Sequence, residues 1–510
     1  MISLAKHNLM ALWLGKFIFA GLALGLLSAC SPLAWSIKSD LYANPNQDGI
    51  RWGLAVSDLS GRRLISLKAD DRFTPASNAK IATSMAGFKW LDQLEVQERA
   101  PGLRVFSEDQ SGADTLNLVL VGGGDAQIGD GSDCEAYCLA ELADQIVAAG
   151  VDEVGDIIGD DQLFPDERWG PGWSQEDLKH SYGTAVSALS VNDNQLWLTV
   201  SSGDELGQPA RLSWRDGDDL YTLVNETITV AADQPRQIVW ERLPGASTVR
   251  VFGEMPINGA SRTFRLGVDD PALFAAKRLK RLLIEQGVQV NGDVLVRHRP
   301  LQLSDYPDDT VQDDPVEAPL PPPALRYDGR PIAQLPANSL AESLDRISRQ
   351  SQNLHAEILL RRLGLIRGSG SRAHGLELVD DLWEAAGVTD TGYAAYDGSG
   401  MSIYHRMSPA GMVKLLIYAS REPWFEDWKA TLPVGGVDGT LARSFKDTSL
   451  EGKIFAKTGT LNGVNALSGY MVANSGRELV FSIVANDRPS LTRSAVAERN
   501  AALLAIAEAY

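Results

Sequence analysis

Ser77 and Lys80 stand three residues apart. On a helix that spacing puts a hydroxyl and an amine on one face, a turn apart, as a nucleophile and its base require. Thr74-Pro75-Ala76 precede Ser77, and an amphipathic run with Ile81, Met85 and Phe88 follows it. Pro75 restrains the entry, so Ser77 is expected at or near a helix N-terminus. Free N–H groups and the positive end of the dipole there favour a developing oxyanion. As an ammonium, Lys80 stabilises the alkoxide; desolvated and neutral, it takes the proton. Much later, Lys457-Thr458-Gly459-Thr460 falls on a predicted strand. Lys457 and Thr458 suit a substrate carboxylate, and Gly459 lets a substrate backbone approach the strand edge. Between the two lies Ser351-Gln352-Asn353. Ser351 can relay a proton between Lys80 and a leaving group, and Asn353 can orient a substrate amide. Assembled in one cleft, these residues perform acyl transfer through Ser77.

Each pattern alone is weak. Ser3-Leu4-Ala5-Lys6 and Ser190-Val191-Asn192 match the first two equally well. An isolated Ser-x-x-Lys is more often a helix cap followed by an exposed lysine, and Ser351 also reads as a cap. Order and surroundings carry the argument.

The elements that must position these groups come from both ends of the chain. Trp52–Asp58, Ser60-Gly61 and Arg63–Leu67 alternate as a hairpin around a glycine turn. Lys453–Ala456 leads into the lysine motif, Leu467–Val472 and Glu478–Val484 are two more strands, and Leu491–Ala509 is a helix. The expected catalytic part therefore comprises residues 49–100 and 325–510, with residues 101–300 inserted. The insert has a strand at Leu116–Val121, a helix over Glu135–Ala149, and strands at Leu196–Val200, Ala210–Trp214 and Ile228–Ala231. A further helix opens at Asp270-Pro271. Residues 301–324, rich in acids and proline, read as a solvated extended linker.

At 510 residues the chain is too long for one ordinary core. Hydrophobic content of 44% and charged content of 22% are those of folded protein. A net charge of −19 leaves no basic surplus for nucleic acid or anionic lipid. Residues 1–29 have the pattern of an export signal: Lys6 and Lys16, an apolar run from Phe17 to Leu27, then small residues. Leu27-Ser28-Ala29-Cys30 resembles a bacterial lipobox, in which the cysteine carries lipid, with residues 30–48 as a tether. A plain signal peptide or an uncleaved anchor is the alternative. Ser31 resembles the residue at that position in lipoproteins sent to the outer membrane. The other two of the three cysteines, Cys134 and Cys138, are four apart, adjacent on one helix face, and form either a disulfide or two thiols. No metal site is expected, because no His or Cys pair flanks them at zinc spacing.

With these residues in place, the chain resembles the D-alanyl-D-alanine carboxypeptidase/endopeptidases among class C low-molecular-mass penicillin-binding proteins. The likeness extends to Leu118-Val119-Leu120-Val121-Gly122-Gly123-Gly124-Asp125 and Gly155-Asp156-Ile157-Ile158-Gly159-Asp160-Asp161. It also covers Tyr396-Asp397-Gly398-Ser399-Gly400 and the run from Leu432 to Thr440. It implies an α/β (α+β) multi-domain fold: a penicillin-binding, serine β-lactamase-like domain of antiparallel sheet and helices, interrupted by two small β-rich domains. It also implies an oxyanion hole from the N–H groups of Ser77 and Thr460, no cofactor, and peptidoglycan stem peptides and β-lactam antibiotics as partners. Location in the periplasm or cell envelope follows. The sequence departs from the family at Gln352, where aspartate is usual, and at Ile403 and His405, where arginine and asparagine are usual. His405 reads as a structural histidine. Two other readings stand beside this one. A serine β-lactamase uses the same motifs, but the insert and the missing glutamate deacylation motif oppose it. A non-catalytic envelope scaffold would keep the fold.

Overall fold

The computed structural model describes residues 36–37, 41, 49–98, 102–109, 116–130, 134–215, 220–307, 327, 330–337, 339–488 and 495–510. The export signal, Cys30 and most of the acidic stretch lie outside the described residues. No helix among the described residues is long and apolar enough to cross a membrane.

An antiparallel five-stranded sheet joins the two ends of the chain. Its order is Ile454–Leu461, Val464–Val472, Glu478–Asn486, Arg51–Asp58 and Arg63–Leu67. Arg51 pairs with Asn486 and Asp58 with Leu479, so an N-terminal strand lies beside a C-terminal one over its whole length. Both faces of the central strands are buried, which is why Leu479–Ala485 is apolar at every position but Ser482 rather than alternating. One face packs on the C-terminal helix Val496–Ala509 through Leu503 and Ile506. The other packs on the helices around the Ser77 helix, Ala79–Lys89.

The Ser77 helix is enclosed on nearly every side. Ile81, Ala82, Met85 and Ala86 join Leu344, Leu359, Leu360 and Leu363 in one core. Burying Ile81 and Met85 stabilises the fold by about 1.5–3 kcal/mol each. At Gly87 a Cβ would sit 2.8 Å from Leu344 and 3.1 Å from Leu359, so the helices Leu340–Arg349 and Asn353–Arg367 pack this closely there because the residue has no side chain.

The inserted stretch carries a second five-stranded sheet, in the order Val294–Arg299, Ile157–Pro165, Leu116–Gly122, Leu103–Asp109, Ala333–Leu335. Ile157–Pro165 runs parallel to both of its neighbours. Helices Pro271–Glu285 and Leu139–Ala148 share the core of that sheet. The insert is rich in strands, as expected, and its main sheet is of mixed α/β type. Parallel pairing needs helical crossovers, and Asp270 caps one of them by accepting from Leu273 N. Two three-stranded sheets supply the β-rich remainder. Ala333–Leu335, expected with the catalytic part, pairs with Leu103–Val105 instead.

Two local expectations change. The helix expected from Glu135 begins at Leu139 with Cys138 at its N-cap, because Tyr137 takes a positive φ of 56°. Cys134 therefore precedes the helix and does not share a helical face with Cys138; the two are disulfide-bonded. The acidic stretch opens with a folded turn, Leu303–Asp305. There Asp305 is buried and accepts from Arg299 at 2.8 and 3.0 Å.

Candidate active site

Ser77 lies in a single 3-10 turn, Ala76–Asn78, that runs straight into the helix Ala79–Lys89. Ala76 enters it with a φ of +49°, unusual for a residue with a side chain. The turn is held from outside: the Asn78 amide donates to Lys457 O at 3.0 Å. Gly400 seats against it, since a Cβ there would lie 2.0 Å from Ala76 O.

Lys80 is fully buried. Its Nζ lies 2.9 Å from Ser77 Oγ, 2.6 Å from Asn353 Oδ1 and 2.6 Å from Ser399 O. Burial drives its pKa down to about 7, against the opposing pull of Asp397 and Glu357. A neutral amine is thus available near neutral pH within hydrogen-bonding distance of the Ser77 hydroxyl, an arrangement able to deprotonate it.

Lys457 is the second buried lysine, 2.8 Å from Ser351 Oγ and 3.0 Å from Thr458 O. Burial, and then the charge of Lys80, push it well below its ordinary pKa. Ser351 does not cap the helix that follows. Asn353 begins that helix and Gln352 caps it by accepting from Leu354 N, which leaves Ser351 in the left-handed region at φ 63°. Its hydroxyl accordingly meets Lys457, not a backbone N–H.

Two roles expected of single residues are placed differently. The Asn353 amide is occupied by the protein at both ends: Oδ1 accepts from Lys80 and Nδ2 donates to Tyr182 O at 2.7 Å. It holds the base in this state. Gly459 faces the nucleophile's turn, because a Cβ there would stand 2.5 Å from Pro75 O and 3.0 Å from Asn78 Nδ2. The strand needs glycine to seat against the Pro75 carbonyl and the Asn78 side-chain amide on either side of Ser77. Thr458 Oγ1 donates to Thr440 Oγ1 at 2.8 Å and the residue lies partly exposed.

A shell that the motifs do not name supports Lys80. Glu357 is fully buried and accepts from Gly398 N at 3.0 Å and Ser399 N at 2.8 Å, which aims Ser399 O at Lys80. Burial, then the charge of Asp397, push the Glu357 carboxyl up. Asp397 is also buried. Burial pushes it up too, but the His405 imidazole at 2.8 Å and the N–H groups of Gly400 and Ser402 outweigh that and hold it at about 2. His405 is buried on Asp397 and Tyr396 N, a structural position. Glu357 lies one turn beyond Asn353 on the same helix, a spacing that signals a shared face. Asp397, Ser399 and Gly400 fall within a block whose family likeness was legible but whose contacts were not. Among the described residues no cluster of His, Cys, Asp and Glu is placed to hold a metal ion.

This geometry has counterparts. A profile of the D-Ala-D-Ala carboxypeptidase 3 (S13) family matches residues 34–306 and 322–510. The D-alanyl-D-alanine carboxypeptidase of Actinomadura sp. (strain R39) is 31% identical over 502 residues, 94% of this chain and 87% of that one. The crystal structure of penicillin binding protein 4 (dacB) from Haemophilus influenzae superposes with a TM-score of 0.74 at 19% identity, covering 93% of this chain and 97% of that chain. The same protein complexed with a novel β-lactam gives a TM-score of 0.69 at 19% identity, over 92% and 98% of the two chains. Those two structures share the mixed multi-domain fold. The profile spans both ends of the chain and the inserted stretch, and the 31% relative is matched along nearly its whole length. The chain belongs to the D-Ala-D-Ala carboxypeptidase 3 (S13) family.

Proposed function

We propose that this chain is a serine-type D-Ala-D-Ala carboxypeptidase/endopeptidase acting on peptidoglycan stem peptides through a Ser77 acyl-enzyme. The observation that carries this reading is the buried Lys80 amine, 2.9 Å from Ser77 Oγ with its pKa lowered to about 7. Neutral Lys80 takes the Ser77 proton as Oγ bonds to the carbonyl carbon of the penultimate D-alanine. The N–H groups of Ser77 and Thr460 hold the resulting oxyanion. When the tetrahedral species collapses, the C–N bond breaks. The departing amine, D-alanine or a cross-linked diamino acid, receives its proton through Ser351, which Lys457 holds at 2.8 Å and which draws on the two lysines. Water, deprotonated by Lys80, then releases the peptide acid. Lys457 and Thr458 bind the terminal carboxylate of the substrate, and no cofactor takes part.

Penicillin presents the same acyl group in a ring and acylates Ser77 in this scheme; the β-lactam complex of the Haemophilus influenzae protein supports it. Residues 49–100 and 325–510, apart from the strand Ala333–Leu335 that pairs with Leu103–Val105, form the catalytic unit, with residues 101–300 inserted. The leader and Cys30 place the enzyme in the cell envelope, anchored by lipid, with Ser31 favouring the outer membrane. Substituting Cys30→Ala and fractionating the cells tests the anchor: the enzyme leaves the membrane fraction.

The activity is tested by intact-mass spectrometry of the soluble chain with benzylpenicillin. A lasting adduct on Ser77, absent from Ser77→Ala, is the expected result, together with D-alanine release from a stem peptide. An adduct that forms and vanishes with hydrolysed drug identifies a β-lactamase. No adduct on folded protein leaves the non-catalytic scaffold.

A further inference from the structure

Three consecutive residues with side chains, Asn192, Asp193 and Asn194, adopt φ values of 52°, 53° and 51°. Left-handed backbone costs roughly 1–2 kcal/mol per residue and persists only where its surroundings over-determine it. They do so here. Asn194 accepts from Val191 N at 3.2 Å and donates to Ala185 O and Ser190 Oγ, each at 3.0 Å. Asn192 accepts from Asp130 N at 3.1 Å and donates to the Asp130 carboxylate.

This pinned turn presents Asp193 to the catalytic part. Its Oδ2 accepts from Gln352 Nε2 at 3.0 Å, and its Oδ1 lies 3.0 Å from His355 Nε2. Burial pushes the Asp193 carboxyl up, yet the His355 bond and the nearby Arg346 and Gln352 outweigh it and hold the group below the usual range. It is therefore an anion that can only accept, and the histidine donates. Gln352 and His355 flank Asn353, and Gln352 adjoins Ser351 with its left-handed φ of 63°. The Gln352 carbonyl end is committed as well, accepting from Leu354 N at 3.4 Å. The same inserted stretch provides Tyr182 O for Asn353 Nδ2. The second motif is thus gripped from the inserted side, while Lys80 and Lys457 take its other side.

We infer that Asp193 is a positioning residue for acyl transfer: through Gln352 and His355 it sets the Ser351 hydroxyl on Lys457 and the Asn353 amide on Lys80. This rests on the Ser77 acyl-enzyme reading. The pair works only with a carboxylate facing an amide. Glutamate at 352 would set two anions at hydrogen-bonding distance, and asparagine at 193 keeps one acceptor where Asp193 has two, so it cannot accept from both the Gln352 amide and the His355 N–H.

The test is a swap. Asp193→Asn, Gln352→Glu and the double variant are compared with the wild type for kcat, KM and benzylpenicillin acylation rate, with melting temperature as the control for folding. Each single variant is expected to lose about tenfold in kcat with KM changed less than threefold. The double variant restores the amide–carboxylate pair with its polarity reversed and is expected within about threefold of wild type. Folded single variants with wild-type kcat, or a folded double variant no better than the singles, overturn the inference. If a single variant does not fold, the double variant decides alone: near-wild-type kcat supports the pair, and a low kcat or failure to fold overturns it. Ser77→Ala is measured alongside. Activity surviving in Ser77→Ala strikes the acyl-enzyme reading itself, whereas a dead Ser77→Ala with unaffected single variants strikes only Asp193.

Discussion

The side-chain amide of Asn78, next to the nucleophile, donates to the main-chain carbonyl of Lys457 at 3.0 Å. The turn that aims Ser77 and the strand that presents Lys457 are thereby locked together, although the residues are 379 positions apart. Precision in this site lies in how the Ser77 turn seats on the Lys457 strand as much as in the reactive side chains.

Gly459→Ala tests that seating directly. A Cβ 2.5 Å from Pro75 O cannot be accommodated without moving the strand or the Ser77 turn. Displacement of about 1 Å costs on the order of a hundredfold in rate. The expected outcome is a loss of that size in both the benzylpenicillin acylation rate and peptide turnover, with a lowered melting temperature.

The rate of acylation should follow the charge of Lys80. With its pKa lowered to about 7, the amine is neutral above that pH and charged below it. Acylation is expected to rise from pH 5 to pH 8 and then level, as measured by stopped-flow with a chromogenic β-lactam. Lys80→Arg stays charged throughout and should lose the activity at every pH.

The same group imposes a stability slope. The folded state holds Lys80 near pKa 7 while an unfolded lysine titrates near 10.5, so between those values the unfolded chain binds more protons. Stability from this group therefore rises with pH across that window and is lowest below pH 7. Urea melts of wild type and Lys80→Met at pH 6 and pH 9 check it: the gain on going to pH 9 should be smaller in the variant.

Glu357 is expected to act through Lys80. Glu357→Gln keeps an acceptor for Gly398 N and Ser399 N but removes a negative charge that raises the Lys80 pKa. The acid limb of the pH–rate profile should move to lower pH with the fold intact. Glu357→Ala leaves two buried N–H groups unpaired, at about 1–3 kcal/mol each, and should lower both the melting temperature and kcat.

Much of this was visible in the residue order. The Ser77–Lys80 pair is local, so helical spacing alone brings the two together. The terminal hairpin and C-terminal strands carry period-two or continuous apolar patterns that survive burial. What stayed hidden depends on contacts across hundreds of positions or on single backbone dihedrals. Asn353 looks free to hold substrate until Tyr182 and Lys80 take both ends of its amide. Ser351 reads as a cap until its φ of 63° turns it away from the helix. Cys134 and Cys138 suggest a helical face, but the positive φ at Tyr137 breaks it before Leu139. Ala333–Leu335 is too short to show which sheet it joins.

The pairing of Arg51 with Asn486 also sets an order of events during synthesis. The hairpin and the Ser77 helix leave the ribosome early, while the three strands that complete their sheet follow some four hundred residues later. In the interval the second sheet, made almost entirely of segments between Leu103 and Arg299, can close on itself, but Arg51–Asp58, paired only with Arg63–Leu67, keeps its other edge open. Loop closure over such a length makes the terminal strands late and slow to dock. Lys457 arrives with them, so the nucleophile is made long before the strand that completes its cleft, and a nascent chain has no assembled active site.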